Sequence, residues 1–480
     1  MAKQTVKDLT VAYAEGAAIT LPITNGKQMT YDEAIMWFQR KKEEEETVVS
    51  IHHEFACSPL DGLVALHRVL AKRFGWTQNV AKQTWFGPQP PTMIGIHVGV
   101  DTIEQVMYGV INIPGVEGQL ETVVTSNPPA FQLGGHCKKK NEPQVLEIVN
   151  LVREYLKTNS IYRGKAVTVD FSWDRPDAGG RKRGYHFMND APQFFPLDPN
   201  LETELVFSDA VNHQLNLGLW TPIEYSDACR QYNFPLNRGV LLGGPFGTGK
   251  TLTSHVSFIK GTRNGWTSIY LKDARDLKRG LEFARQYAPA ILFCEDVDRV
   301  TNGGRSAELD EILNTLDGVN TKGAEIITVF TTNDVESINP ALLRPGRIDV
   351  YIDVQPPDAA AVMKLVSLYS RGLMAKGEKL DTIGKRLAGR IPAFVREVVE
   401  RSKAAAIFRL KGQPIEGHVT EADMLAAADA MDGHNSLFQV KAQELPENIE
   451  SVMLKVPVTS KAGQSLLKNL PKYAGGLVTT

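Results

Sequence analysis

Apolar and polar positions follow two different patterns along this chain. Before residue 174, segments 47–56 (TVVSIHHEFA), 93–100 (MIGIHVGV) and 106–113 (VMYGVINI) are rich in β-branched residues and read as strands, as does 165–173 (KAVTVDFSW). Val145, Ile148, Val149, Val152 and Leu156 recur at helical spacing across 143–157, the stripe of an amphipathic helix. The mixture predicts an α+β domain over 1–173, to which no chemistry is assigned. Pro176, Gly179, Gly180, Gly184, Pro192, Pro196 and Pro199 then break every period. Residues 174–204 are therefore expected to be a linker or long surface loop, with Arg181, Lys182 and Arg183 as its solvated face.

From 205 the pattern becomes strand–helix alternation. Gly239–Leu242, Thr267–Leu271, Ala290–Cys294, Ile326–Thr331 and Val350–Val354 read as strands, and Leu309, Ile312, Leu313 and Leu316 mark a helix between two of them. This predicts an α/β domain over 205–355, a parallel sheet sandwiched between helices. After Gln355-Pro356-Pro357-Asp358 the pattern is helical throughout, a small domain over 356–432. Residues 433–480 form a tail with no assignment.

Composition narrows the function classes. A chain of 480 residues exceeds what one hydrophobic core usually spans, and 42% hydrophobic with 22% charged residues is a globular balance. The formal net charge is −2, and the segments before and after residue 200 are each balanced, so no general positive field holds a polyanion. Cys57, Cys137, Cys229 and Cys294 lie far apart and read as reduced thiols of a cytoplasmic protein. No signal peptide and no membrane association are expected, because no apolar run is long enough. Arg40-Lys41-Lys42 and Glu43 to Glu46 read as side-chain pairs on an exposed helix. His52-His53-Glu54 lacks the second histidine of a zinc-protease motif, and no HExxH occurs elsewhere.

The chemistry concentrates in four places. Gly244-Pro245-Phe246-Gly247-Thr248-Gly249-Lys250-Thr251 fits GxxxxGK[ST] between a strand and a helix. Its glycines let backbone N–H groups turn inward around phosphate oxygens at the positive end of the helix. Lys250 reaches the β- and γ-phosphates and the Thr251 hydroxyl ligates Mg²⁺, so Gly244 to Thr251, with Leu252 after them, are the expected nucleotide-binding residues. In Ala290–Asp298, an apolar strand ends in Glu295, Asp296 and Asp298 at the carboxyl edge of the sheet, where such residues hold Mg²⁺ and orient the attacking water. Thr331-Thr332-Asn333-Asp334 ends the next strand, placing Asn333 to bond the lytic water or the γ-phosphate. Asn339-Pro340-Ala341-Leu342-Leu343-Arg344-Pro345-Gly346-Arg347-Ile348-Asp349 presents two arginines on a Pro-Gly turn.

Together these motifs resemble the AAA family of ATPases, in its classical clade. GPFGTGKT looks like the family's Walker A loop, CEDVD like Walker B, TTN like sensor 1 and NPALLRPGRID like the second region of homology. The resemblance covers about 205–432 and implies a P-loop NTPase sheet with a small helical lid, using ATP and Mg²⁺. Thr251 and Glu295 would serve the metal, with Glu295, Asp296, Asn333, Arg344 and Arg347 catalytic. It also implies self-association into a ring, usually a hexamer, with Arg344 and Arg347 reaching the γ-phosphate of the neighbouring subunit. Arg396, opening a lid helix, stands where other clades place a sensor-2 arginine. Two departures are visible. The family's usual Walker B order is Asp then Glu, whereas this chain has Glu295 then Asp296. Between Lys272 and Ala288 the chain is too short for the aromatic pore loop of the clade's unfoldases. In both respects it is similar to the AAA translocases of the mitochondrial Rieske protein, without their membrane anchor.

The leading expectation is an ATP hydrolase that remodels or disassembles a protein partner delivered through residues 1–173. A nucleic-acid motor or loader is the competing class, though charge does not support it. A slow ATP-gated scaffold is the third, kept open by the Glu295/Asp296 order. An FtsH-like protease is excluded by the missing metal motif.

Overall fold

A computed structural model describes residues 23–24, 27–75, 78–85, 87–126, 129–175, 180–297, 323–336, 338–344 and 346–444. The expected helix around Leu309–Leu316, Asp298 and Pro345 lie outside these residues.

Helix α1 (Tyr31–Glu45) starts at a reciprocal cap: the Thr30 N–H donates to the Glu33 carboxylate at 2.8 Å, and the Glu33 N–H donates to the Thr30 hydroxyl at 3.4 Å. The basic–acidic run lies on it. Lys41 pairs with Glu45 at 4.0 Å, but Glu44 pairs with Lys139 and Glu46 with Lys140, beyond the helix. Strands β1 (Val48–Phe55), β2 (Gln78–Asn79), β3 (Val110–Asn112), β4 (Gly118–Ser126) and β5 (Pro129–Lys138) form an antiparallel sheet in the order β1-β5-β4-β3-β2. Alternation along β1 buries Ile51 and Phe55 and leaves His52 and Glu54 in solvent. Helices α2 (Pro59–Phe74) and α3 (Glu142–Asn159) pack together over this core, and α3 buries Val145, Ile148, Val149 and Val152, the stripe read from its spacing.

The second sheet is larger. It comprises β6 (Ala166–Val169), β7 (Gln193–Phe194), β8 (Arg238–Gly243), β9 (Thr267–Leu271), β10 (Ala290–Cys294), β11 (Ile326–Thr332) and β12 (Val350–Asp353), in the order β7-β6-β9-β10-β11-β8-β12. Every pairing is parallel except β7 on β6. Strands β10 and β11 are buried along their whole length, as a parallel strand covered on both faces must be. Helices α4 (Lys250–Arg263) and α5 (Leu277–Gln286) provide part of that cover.

Strand β6 corrects the sequence reading. Residues 165–173 were expected to belong to the N-terminal domain, yet Ala166 to Val169 pair in parallel register with Ser268 to Leu271 in the large sheet. The Pro- and Gly-rich stretch beginning at 174 likewise does not separate two bodies, because it returns as β7 on the outer side of β6. One buried cluster runs from Phe55, Leu63 and Phe131 through Tyr162 and Val167 to Ile269, Leu281 and Leu292. Polar bonds cross the same seam. The Ser58 N–H donates to the Tyr287 hydroxyl at 2.8 Å, and the Arg163 guanidinium donates to the Gln286 carbonyl at 2.8 Å. Buried Asp61 accepts the Ser160 hydroxyl at 2.7 Å and the Ile161 N–H at 3.0 Å, and burial pushes its carboxyl pKa up. Breaker residues report local backbone freedom, whereas strand partnership is set by apolar register with a distant segment.

A second compact unit comprises Val362–Ala388 and 393 onward. It holds most of α6 (Ala359–Ser370), α7 (Asp381–Leu387), most of α8 (Pro392–Arg409) and α9 (Glu421–Glu444), with Leu365, Val366, Ile383, Val395, Val398, Val399, Met424 and Ala428 in its core. Its helices match the pattern, but a parallel bridge between Met374 and Val419 interrupts the all-helical expectation. Helix α9 continues past 432 to Glu444. Arg396 is exposed, with its guanidinium 5.2 Å from the centre of the Tyr369 ring.

Candidate active site

The loop from Gly244 to Gly249 joins β8 to α4. Gly244 (φ 148°), Gly247 (φ 75°) and Gly249 (φ 103°) adopt positive φ, which side chains other than glycine rarely tolerate. At Gly244 a β-carbon would also stand 2.3 Å from the Val354 carbonyl oxygen. The Thr248 hydroxyl donates to the Pro245 carbonyl at 3.0 Å, and Phe246 is 72% exposed at the loop tip. Lys250 is buried and folds across the loop, its ammonium donating to the carbonyls of Gly244 at 2.6 Å and Pro245 at 2.8 Å. Leu252 is half-buried in the first turn of α4.

Strand β10 delivers the two carboxylates. Glu295 accepts the Thr251 hydroxyl on Oε1 and the Tyr270 hydroxyl on Oε2, each at 2.6 Å. Asp296 sits at φ 51°, a left-handed conformation that aspartate adopts more readily than most residues. Its N–H donates to the Thr331 hydroxyl at 3.1 Å, and its Oδ1 accepts the Asn333 amide at 3.0 Å. Asn333 is set by a tight turn in which the Asp334 N–H donates to the Thr332 hydroxyl at 3.0 Å, and that hydroxyl donates to the Asp334 carbonyl at 2.9 Å. Neighbouring residues therefore face different partners: Glu295 turns to Thr251, Asp296 to Asn333.

The arginine turn lies elsewhere. Asp349 ties it to the start of β8, accepting the Gly239 N–H at 3.1 Å and the Gly346 N–H at 2.9 Å. The Arg347 guanidinium donates to the Ala341 carbonyl at 2.7 Å, while Arg344 is exposed. Gly239 is needed at the contact, since a β-carbon there would meet the Arg347 carbonyl oxygen at 1.9 Å. Thus Lys250, Thr251, Glu295, Asp296 and Asn333 share the carboxyl edge of the sheet, whereas Arg344 and Arg347 belong to a turn anchored at the amino end of β8.

Sequence reasoning missed Tyr270 and His255. Burial and the Glu295 carboxylate push the Tyr270 pKa up, so the phenol keeps its proton and donates. Burial pulls the His255 pKa down, opposed by Glu295, and its ring meets Phe195 edge-on with centroids 5.0 Å apart. A tyrosine on the strand beside the acidic one was the available signal. Thr251 and Glu295 offer hard oxygen donors and few of them, the set that suits Mg²⁺, which keeps several waters and borrows substrate phosphates. Among the described residues, no cluster of three or more His, Cys, Asp or Glu stands ready to hold a metal, and no helix is long and apolar enough to cross a membrane.

Residues 240–356 match the model of the ATPase family associated with various cellular activities, AAA. A 26S proteasome regulatory subunit 8 homolog of Encephalitozoon cuniculi is 31% identical over 221 residues, 42% of this chain and 55% of that protein. The homolog of Schizosaccharomyces pombe is 30% identical over 237 residues, 45% of this chain and 57% of that protein. An ATP-dependent zinc metalloprotease FtsH of Mycoplasmopsis pulmonis is 33% identical over 189 residues, 35% of this chain and 26% of that protein. The chain thus spans a little over half the length of the proteasome relatives and about a quarter of the FtsH relative. The large sheet with its phosphate loop is an α/β P-loop NTPase fold, and this stretch of the chain is an AAA ATPase domain, a kind of domain that binds and hydrolyses ATP with Mg²⁺.

Proposed function

We propose that this protein hydrolyses ATP at the seam between copies of itself in a ring, usually a hexamer, and uses the cycle to remodel a protein partner engaged through its N-terminal region. The observation that carries the reading is the bonded set Lys250, Thr251–Glu295 and Asp296–Asn333 at one sheet edge.

The loop N–H groups and the amino end of α4 receive the phosphates, and Lys250 exchanges its two carbonyl partners for β- and γ-phosphate oxygens. Thr251 and Glu295 hold Mg²⁺, which supplies charge neutralisation on those phosphates. Asp296 orients the attacking water, and Asn333 fixes Asp296 while offering its amide to the water or the γ-phosphate. Catalysis is mostly positioning and preorganised charge. Arg344 and Arg347 complete the site in trans. From Gly239, beside the arginine turn, to Gly244 is five residues of extended chain, roughly 16 Å at about 3.3 Å each. That separation is longer than one arginine side chain, so the turn serves a neighbouring copy better than its own loop.

The segment after β9 bears on the remodelling mode. Asp273 there accepts Arg175 at 2.7 Å, and Asp276 faces Arg175 at 3.4 Å. The aromatics further along, Phe283 and Tyr287, are buried. A tethered segment without an exposed aromatic is poorly suited to hand-over-hand threading, and in this it is similar to the Rieske translocase type. The near-neutral balance of the chain favours a protein partner over nucleic acid, and a cytoplasmic setting belongs to the same reading. Steady-state hydrolysis tests the chemistry: the protein turns over Mg·ATP, and Asp296→Asn binds ATP within about threefold of the unaltered protein with turnover at least about a hundredfold lower. Equal turnover by the two proteins would contradict the role given to Asp296.

A further inference from the structure

Glu295 stands where the family's usual order has an aspartate, and its additional methylene brings one more torsion to fix. Two hydroxyls fix it, one on each carboxylate oxygen, both at 2.6 Å. Thr251 supplies one from the loop, and Tyr270 supplies the other from the neighbouring strand, where it is the register partner of Phe293. The phenol ring is itself held, stacked on Phe293 at 6.2 Å and 17° and on Phe195 at 5.9 Å and 30°. Phe195 lies just past β7, so the added edge of the sheet buttresses the site.

We propose that Tyr270 is a positioning residue for the metal-side carboxylate. Its O–H holds Oε2 of Glu295 so that Oε1 stays directed at Thr251, the other Mg²⁺ donor. The contact makes the Glu-then-Asp order workable: an aspartate would be oriented by its short stem alone, whereas this glutamate needs an outer donor. Such partners of a metal ligand commonly govern affinity by about ten- to a hundredfold. Tyr270 touches neither nucleotide nor water in this scheme and acts only through Glu295.

This inference rests on the ATP reading, and its test keeps the two apart. ADP affinity is measured by calorimetry in EDTA, and Mn²⁺ affinity by electron paramagnetic resonance at saturating ADP. Tyr270→Phe retains the stacking ring and loses the hydroxyl. It is expected to weaken Mn²⁺ binding about tenfold while ADP affinity in EDTA stays within about twofold. Glu295→Asp, oriented by its own shorter stem, is expected to make the hydroxyl dispensable, so that adding Tyr270→Phe to it changes Mn²⁺ affinity by less than about twofold. Mn²⁺ affinity of Tyr270→Phe within twofold of the unaltered protein would overturn the proposal. So would an equal loss of metal-free ADP binding, or full additivity in the double variant. Absence of ADP binding by the unaltered protein would instead sink the ATP reading.

Discussion

The two ends of strand β8 hold the phosphate loop and the arginine turn in different ways. At its carboxyl end, Gly243 leads into the phosphate loop, where Lys250 bonds the loop's own carbonyls, Thr251 bonds Glu295 and Asn333 bonds Asp296. At its amino end, Gly239 and Asp349 fix the backbone of the arginine turn, which leaves Arg344 in solvent. One end is closed on its own groups, and the other fixes a backbone while offering a side chain outward. In the proposed scheme each end of the strand carries half a site, and two copies complete one another.

Breaking each end separately sharpens the contrast. The largest effects come from the two cations. Lys250→Ala removes the ammonium that donates to the Gly244 and Pro245 carbonyls, and Mg·ATP affinity is expected to fall by about a hundredfold. Arg347→Ala is expected to cut turnover by about a thousandfold while Mg·ATP affinity, read by calorimetry, stays within about threefold. Equal loss of affinity in both variants would erase the distinction between the ends. A smaller effect is expected from Gly239→Ala. The added carbon pushes on the Arg347 carbonyl and should cost about 2 kcal/mol of stability. Turnover should drop with it, while Mg·ATP affinity remains within about threefold; thermal melting and calorimetry on one preparation check both.

Sequence legibility also differs between the two ends and the rest of the molecule. The phosphate loop is contiguous and its chemistry demands fixed spacing, so Gly244 to Thr251 stand out in the sequence, and the structure places them with Glu295, Asp296 and Asn333 at one sheet edge. The Tyr270–Glu295 bond could not, because it depends on the register of β9 against β10, and a tyrosine in a strand usually signals packing. Strand β6 was placed with the wrong neighbours for a similar reason. Its sequence says that it is a strand, and only the apolar face of β9, about a hundred residues later, says where it pairs. The roles proposed for Arg344 and Arg347 come from family resemblance, and the fold adds that their turn is anchored at the other end of β8 from the loop.

The most direct measurement mixes the two variants. Lys250→Ala and Arg347→Ala proteins, each nearly inactive alone, are combined over a range of ratios while ATP turnover and co-assembly are followed together. A site shared between copies predicts that mixed assemblies regain turnover, wherever an intact phosphate loop meets an intact arginine turn. Mixed assemblies that form and remain as inactive as the separate variants would contradict it.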